Sequence, residues 1–223
     1  MTKSLKIHPK AIIFDMDGVI VDSMPYHFLA WHEALRPLGI RVSCFEVYCR
    51  EGERWEKSLK DFLRQGNIKP TKAILKKIFI RRQKIFRSYF KRLIFSGAEE
   101  FLKCLKKKGY LLGLVTGTPM PELEKILPKR IKKFFDYFVT GDRVKNGKPS
   151  PEPYLQAAQG LSVKPGECVV VENAPLGIES AKRAGMFCVA VTTSLPEDYL
   201  KRADVVVDRL EEITGIIDRT CKL

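Results

Sequence analysis

The stretch Ala11-Ile12-Ile13-Phe14-Asp15-Met16-Asp17-Gly18 decides the fold. Four apolar residues run into two aspartates one residue apart, followed by a glycine. A short apolar run closed by a turn reads as a strand buried on both faces, as in a parallel sheet. In open α/β sheets the ligand lies beyond the carboxyl ends of such strands, which puts Asp15 and Asp17 at the mouth of a site. Side chains alternate along a strand, so residues i and i+2 begin on the same side. Two carboxylates that close repel each other unless a cation stands near. A hard divalent ion with oxygen ligands, most simply Mg²⁺, answers that need. Taken alone, the pattern also fits a plain strand followed by an Asp-Gly turn.

Downstream, strands and helices alternate. Leu111 to Val115 is a second buried strand, ending at Thr116-Gly117-Thr118. Tyr137 to Thr140 is a third, and Cys168 to Val171 a fourth, ending at Glu172-Asn173. Phe187 to Val191 is a fifth, and Val205 to Val207 a short sixth. Phe101, Leu102 and Leu105 share a helix face before Gly109. Further helices are predicted over about 121–127, 151–160 and 176–184, the last closed by Gly185 at its C′ position. Repeated β-α units imply a parallel sheet with right-handed crossovers.

Between the first and second strands the pattern differs. Gly18 to Ser23 is expected to be a small extended flap, with Asp22 or Ser23 capping a helix from about Pro25 to Leu35. Residues 40–92 hold no strand pattern. Leu59, Phe62 and Leu63 recur at helical spacing, as do Ile74, Leu75, Ile78, Phe79, Phe86, Tyr89 and Phe90, and Gly66-Asn67 and Pro70 punctuate two helices. The expected architecture is α/β. A Rossmann-like parallel sheet core with helices on both faces, residues 1–20 and 93–223, carries an inserted all-helical cap, residues 21–92.

The 223 residues are 45% hydrophobic, enough for a full core, and carry a formal charge of +14. Residues 60–92 hold twelve Lys or Arg against one acid, Asp61. These cations interleave with apolar residues at helical spacing and accompany no nucleic-acid motif, so they read as a solvated helix face; an anionic partner is the other reading. Residues 1–10 form a polar leader without a secretory h-region. No apolar run approaches the ~18 residues of a membrane span. The six cysteines make no CxxC pair, and Cys168 and Cys188 fall in strand-like runs as buried thiols. A reduced cytoplasmic setting and a monomer, with no membrane or specific nucleic-acid partner, are expected.

Three strands thus end in Asp15/Asp17, Thr116 and Glu172/Asn173. Gly147-Lys148-Pro149 adds a lysine just before a helix N-terminus, placed to meet anionic oxygens. A hydroxyl, an ammonium, carboxylates and a metal are what phosphoryl transfer through an aspartyl phosphate requires.

The sequence resembles the haloacid dehalogenase superfamily. Its four motifs occur in family order: Phe14-Asp15-Met16-Asp17-Gly18-Val19, Val115-Thr116-Gly117-Thr118, Gly147-Lys148-Pro149, and Val171-Glu172-Asn173-Ala174-Pro175-Leu176-Gly177-Ile178. The trailing Ala181-Lys182-Arg183-Ala184-Gly185-Met186 also fits, and the helical insertion matches the subclass with a helical cap. The resemblance implies Asp15 as nucleophile and Asp17 as general acid, then base. Thr116 and the Gly117 amide would hold phosphate oxygens, and Lys148 would offset negative charge. Mg²⁺ would be bound by Asp15, the Asp17 carbonyl and Asn173, with Glu172 either a ligand or an indirect support. Asn173 departs from the pattern, since many relatives carry Asp there.

The run Tyr26-His27-Phe28-Leu29-Ala30-Trp31 is similar to the opening cap helix of β-phosphoglucomutase and of sugar-phosphate phosphatases. His27 either faces Asp17 and the substrate or packs in its helix. Glu51-Gly52 resembles the specificity loop of the cap, with Arg50 or Arg54 placed to bind a distal anion or else solvated. The implied function is a Mg²⁺-dependent phosphatase acting on a small phosphorylated metabolite, a sugar phosphate. A phosphosugar mutase is the alternative. More distant readings are a non-enzymatic phospho-acceptor switch and a basic scaffold.

Overall fold

The computed structural model describes residues 8–217. The leader over residues 1–7 and Cys221 lie outside the described residues. The chain begins with β1 (Ala11–Asp15), followed by helices α1 (Met24–Leu35), α2 (Cys44–Tyr48), α3 (Trp55–Gln65) and α4 (Lys72–Tyr89). The order then runs α5 (Ala98–Lys107), β2 (Leu111–Val115), α6 (Met120–Ile126), α7 (Lys129–Lys132), β3 (Tyr137–Val139) and α8 (Glu152–Gly160). It ends with β4 (Cys168–Glu172), α9 (Pro175–Arg183), β5 (Phe187–Val191), β6 (Val205–Val207) and α10 (Ile213–Ile217).

The strands form one parallel sheet in the order β3-β2-β1-β4-β5-β6. Strand alternation sorts the side chains into two layers. Ile12, Phe14, Leu112, Leu114, Val169 and Val171 face α5, α6, α7 and α10. Ala11, Ile13, Val115, Val170 and Ala190 face α8 and α9. With both faces covered, the strands carry apolar residues continuously rather than alternately. This is the expected Rossmann-like α/β core.

Helices α1 to α4 build the cap around their own apolar cluster, which includes Trp31, Leu35, Val47, Leu59, Phe62, Leu63, Leu75 and Ile78. Ala30 and Phe86 instead join the layer on the sheet, so the cap is seated on the core. Helix α2 was not expected. It is short, but Ser43 and Glu46 form a reciprocal capping box that fixes its start.

Residues 18–23 correct the expected flap. They form a buried turn: the amides of Ile20 and Val21 donate to the Met16 carbonyl at 3.0 Å each, and Gly18 N donates to Val21 O at 2.8 Å. Val19, Ile20 and Val21 are fully buried, which an exposed flap of such apolar residues would not allow. Ser23 occupies the N-cap position of α1 but makes no cap hydrogen bond with its side chain. Cys168 and Cys188 are buried free thiols; burial pushes Cys168 up to about 12. Among the described residues, no helix is long and apolar enough to cross a membrane.

Candidate active site

The site forms where the strand order reverses, at the carboxyl ends of β1, β2 and β4. Asp15 shares the sheet face of Ala11 and Ile13, the α8 side. By the same count of two, Glu172 follows Cys168 and Val170 onto that side. Lys148 enters the same layer just before α8. The three side chains meet because period-two alternation aims two strand-end carboxylates at one helix N-terminus.

Lys148 Nζ donates to Asp15 Oδ1 and to Glu172 Oε1, each at 2.5 Å, and all three residues are at most 5% exposed. Tyr154 on α8 also donates its hydroxyl to Glu172 Oε1 at 2.6 Å. The other Glu172 oxygen accepts from the amides of Asn173 at 3.0 Å and Ala174 at 3.3 Å. Burial opposes the charge on Lys148, but Asp15 and Glu172 outweigh it and hold the ammonium well above its usual pKa. Burial pushes the Asp15 carboxyl well up; Lys148 opposes this, while Glu172, Asp17 and Glu51 add to it.

Removing one partner of a buried charge cluster leaves the others uncompensated. Lys148→Met is therefore expected to lower stability by about 3–5 kcal/mol, read from the denaturant midpoint of the metal-free protein at constant m-value. Asp15, whose pKa burial already raises, would lose its counter-charge, so the deficit grows as pH rises and shrinks as pH falls. An unmoved midpoint would show that the ammonium does not hold the cluster together.

Two oxygens in this polar pocket have no hydrogen-bond partner, Asp15 Oδ2 and Asn173 Oδ1, and both are buried. The Asn173 amide nitrogen donates to Ser194 Oγ at 2.9 Å, which fixes the way the amide faces. Gly18, at φ 81°, lies against it: a Cβ there would stand 2.0 Å from Asn173 Nδ2. Three carboxylates, Asp15, Asp17 and Glu172, face one ammonium, leaving an excess of negative charge. Orphaned buried oxygens and excess negative charge fit a hard divalent cation. Glu172 is engaged on both oxygens, where it holds Lys148 and the turn after β4.

Asp17 Oδ1 accepts from Ser23 Oγ at 2.6 Å and lies 3.2 Å from His27 Nε2, while Oδ2 accepts from Thr116 Oγ1 at 3.3 Å. Arg82 Nη2 lies 2.5 Å from His27 Nδ1. A guanidinium carries only donors, so Nδ1 accepts and Nε2 carries the hydrogen given to Asp17. Arg82 lies over the rings of Trp31 and Phe86, and His27 stacks on Phe86 at 4.7 Å. Burial raises the Asp17 pKa, but His27, Ser23 and Thr116 outweigh it and hold the carboxyl below its usual range. Ser23 and Arg82 were not recognised in the sequence. Thr116 does not cap α6; it accepts from Thr118 N at 3.1 Å and donates to Asp17.

A cavity of about 380 Å³ lies between cap and core. Its core wall includes Thr116, Gly117 and Lys148, and its cap wall includes His27, Glu51, Gly52, Arg54 and Arg82. Gly117 is exposed, with open space where a side chain would project. Gly52, at φ 80°, lets the cap loop press on Lys148: a Cβ there would meet Lys148 Cδ at 2.5 Å. Glu51 lines this cavity; burial raises its pKa, His27 and Lys148 lower it, and Asp17 raises it. Arg54 has one terminal nitrogen engaged in this arrangement. Its Nη2 donates to the carbonyls of Val144 at 2.5 Å and Lys145 at 2.6 Å, linking cap to core. Arg50 is likewise engaged, with Glu53 and Asp61 at 3.0 Å each.

The family model for haloacid dehalogenase-like hydrolases matches residues 9–185. The chain is 33% identical over 219 residues to a phosphorylated carbohydrates phosphatase of Thermotoga maritima, covering 93% of this chain and 98% of that protein. It is 32% identical over 213 residues to a β-phosphoglucomutase of Bacillus subtilis, covering 92% of each. The crystal structure of a β-phosphoglucomutase from Clostridium difficile superposes with a TM-score of 0.81 at 28% identity, covering 95% of this chain and 98% of that one.

Proposed function

The chain belongs to the haloacid dehalogenase-like hydrolases, and from that premise we propose that it is a Mg²⁺-dependent phosphatase of a phosphorylated carbohydrate. It is an enzyme acting on phosphate esters, in a family that uses a divalent metal. The observation that carries the proposal is the buried Asp15–Lys148 pair, 2.5 Å apart, beneath a cavity roofed by the cap. Asp15 attacks phosphorus and the bond to the leaving oxygen breaks, with Asp17 supplying that oxygen's proton. Water then attacks the phosphoryl group on Asp15. Asp17 takes its proton, and the bond to Asp15 breaks. Thr116 and the Gly117 amide hold phosphoryl oxygens, and Lys148 balances their charge.

Asp17 rests ionised, as a base. An incoming phosphate brings negative charge beside it, which raises its proton affinity, so that it takes up a proton from solvent before it acts as the acid. Asp15 Oδ2, the Asp17 carbonyl and Asn173 Oδ1 would hold the cation, which when bound neutralises the phosphate and the carboxylates. Residues 21–92 act as the cap that shapes the substrate space. The enzyme works as a cytoplasmic monomer with no nucleic-acid partner, and the exposed basic face of α4 is solvated.

The test is a phosphate-release screen over phosphorylated sugars, polyols, nucleotides and small acids. β-Glucose 1-phosphate primed with glucose 1,6-bisphosphate is included, so that mutase activity would be seen. Release from sugar phosphates with no mutase product is expected. Isomerisation without release would make the enzyme a mutase. The metal assignment has its own prediction. Mg²⁺ is expected to raise the melting temperature of the wild type, less that of Asn173→Ala, and more that of Asn173→Asp, which adds a charged ligand. An Asn173→Ala protein with the wild-type response would remove Asn173 from the ligand set.

A further inference from the structure

We propose that Arg54 is a positioning residue for Lys148: the cap's guanidinium and the core's Glu152 grip the two peptide groups just ahead of that lysine from opposite sides, which couples the seating of the cap to the place of the ammonium. This deepens the phosphatase reading above and rests on it.

Residues 141–148 lead from the Thr116-Gly117-Thr118 turn to Lys148. The segment is pinned at its start, where Gly141 N donates to Thr118 O at 3.2 Å and a Cβ on Gly141 would stand 2.0 Å from Gly117 O. Beyond Lys148 it runs into α8, whose first residue is Glu152. Between these points the chain is exposed at Lys145 and Asn146 and buried again at Lys148. All four polar groups of the peptides 144–145 and 145–146 end on charged side chains. The carbonyls of Val144 and Lys145 accept from Arg54 Nη2, at 2.5 and 2.6 Å. The amides of Lys145 and Asn146 donate to Glu152 Oε1 and Oε2, at 2.5 and 2.9 Å. Carbonyl and N–H point opposite ways in a trans peptide, so Arg54 and Glu152 stand on opposite sides with the two peptides between them.

Each of these bonds is charge-assisted, and bonds in series polarise one another. The Asn146 side chain adds a third donor to Glu152, at 2.9 Å. Burial raises the Glu152 pKa, but the Lys145 amide, Asn146 and the Arg54 charge outweigh it and hold the carboxyl below its usual range. The Arg54 stem also lies where a side chain is missing: a Cβ on Gly147 would meet Arg54 Cγ at 3.3 Å. One residue later, the Lys148 ammonium is shared by Asp15 and Glu172. When a phosphoryl group joins Asp15 the pull on that ammonium changes, and the backbone at residue 148 then decides where it can reach. A misplacement of 1 Å at a reacting group can slow a reaction by about 10²-fold, whereas exposed charge contacts add little to stability. Arg54 therefore matters for rate more than for the fold.

The experiment measures kcat and KM on p-nitrophenyl phosphate, glucose 6-phosphate and fructose 1-phosphate for the wild type, Arg54→Met, Glu152→Gln and the double variant. Each single variant should lose about tenfold in kcat on every substrate the wild type turns over, with KM changed by less than about twofold. Both side chains act through the same two peptides. The double variant should therefore also lose about tenfold, and not the roughly hundredfold of independent effects. Arg54→Lys, which can still donate to the carbonyls, should recover most of the kcat. Hydrogen exchange across residues 144–148 of the metal-free protein should quicken in Arg54→Met, a readout that needs no activity. Wild-type kcat in Arg54→Met, a loss of about a hundredfold in the double variant, or unchanged exchange overturns the inference. So does a raised KM at wild-type kcat, which would make Arg54 a substrate contact. A wild type inactive on these three compounds and throughout the screen above overturns the phosphatase reading itself, and the inference with it.

Discussion

Asp15→Asn is expected to reduce turnover by at least about 10⁴-fold while the protein stays folded. Losing a covalent nucleophile removes the route itself, and single losses of that kind reach about 10⁶-fold in other hydrolases. The amide keeps the shape of the carboxylate. Lys148 keeps Glu172, and Glu172 keeps Tyr154 and two backbone amides, so the buried cluster loses one member and not its frame. Burial already disfavours the Asp15 charge in the fold. Its pKa is raised, so its contribution to stability falls as pH rises through that value, and an uncharged replacement escapes this loss. The melting temperature of the metal-free variant at neutral pH should therefore not drop sharply, which separates a chemical defect from a folding one. Beryllofluoride with Mg²⁺ should give the wild type a stable adduct on Asp15 and leave the variant unlabelled. An adduct at another carboxylate would move the nucleophile elsewhere.

Local information in the chain was enough for the sheet and for the placement of polar residues at its strand ends. Ala11 to Phe14, Leu111 to Val115 and Cys168 to Val171 are apolar without interruption because both sheet faces are covered, and their ends coincide with Asp15, Thr116 and Glu172. What escaped depends on contacts between distant residues or on very short elements. Helix α7 spans four residues, too few to show a period. Ser23 looked like a helix cap because Ser is common there. Its hydroxyl instead turns back to Asp17, six residues earlier, a choice set by the buried turn between them. Arg82 lay within a run of basic residues, and only the packing of α4 against α1 brings it to His27, 55 positions away. The bonds from Lys148 and Tyr154 to one Glu172 oxygen join residues 24 and 18 positions apart, which no local pattern reveals. Arg50 and Arg54 were candidates for a distal anion by their place in the loop. Arg50 finds Asp61 within the cap itself, and Arg54 finds the carbonyls of residues 144 and 145 on the core, some 90 positions away.

Asp17→Asn should separate two steps that use the same side chain. A sugar alkoxide is a poor leaving group and needs a proton in the transition state, whereas the nitrophenolate of p-nitrophenyl phosphate needs it far less. General acid help is typically worth about 10²–10⁴-fold. The attack step on a sugar phosphate should slow by roughly that factor, while the single-turnover burst of nitrophenol is largely kept. Steady-state turnover should fall for both substrates, because Asp17 also takes the proton from water, and phosphorylated Asp15 should accumulate. The hydrogen bonds at the site bear on how clean this variant is. Asn keeps an acceptor for Ser23 and His27 on Oδ1, but its amide nitrogen would face Thr116 Oγ1, which can rotate to accept. The held-down pKa of Asp17 stabilises the fold above the ordinary carboxylate range and is lost as pH falls through it. The variant should lack that acid-side loss. Rapid-quench kinetics with both substrates decides the role. Equal loss of the burst for each, with no trapped phosphoenzyme, would make Asp17 a structural or metal-site residue only, and the proton transfers would then belong to another group.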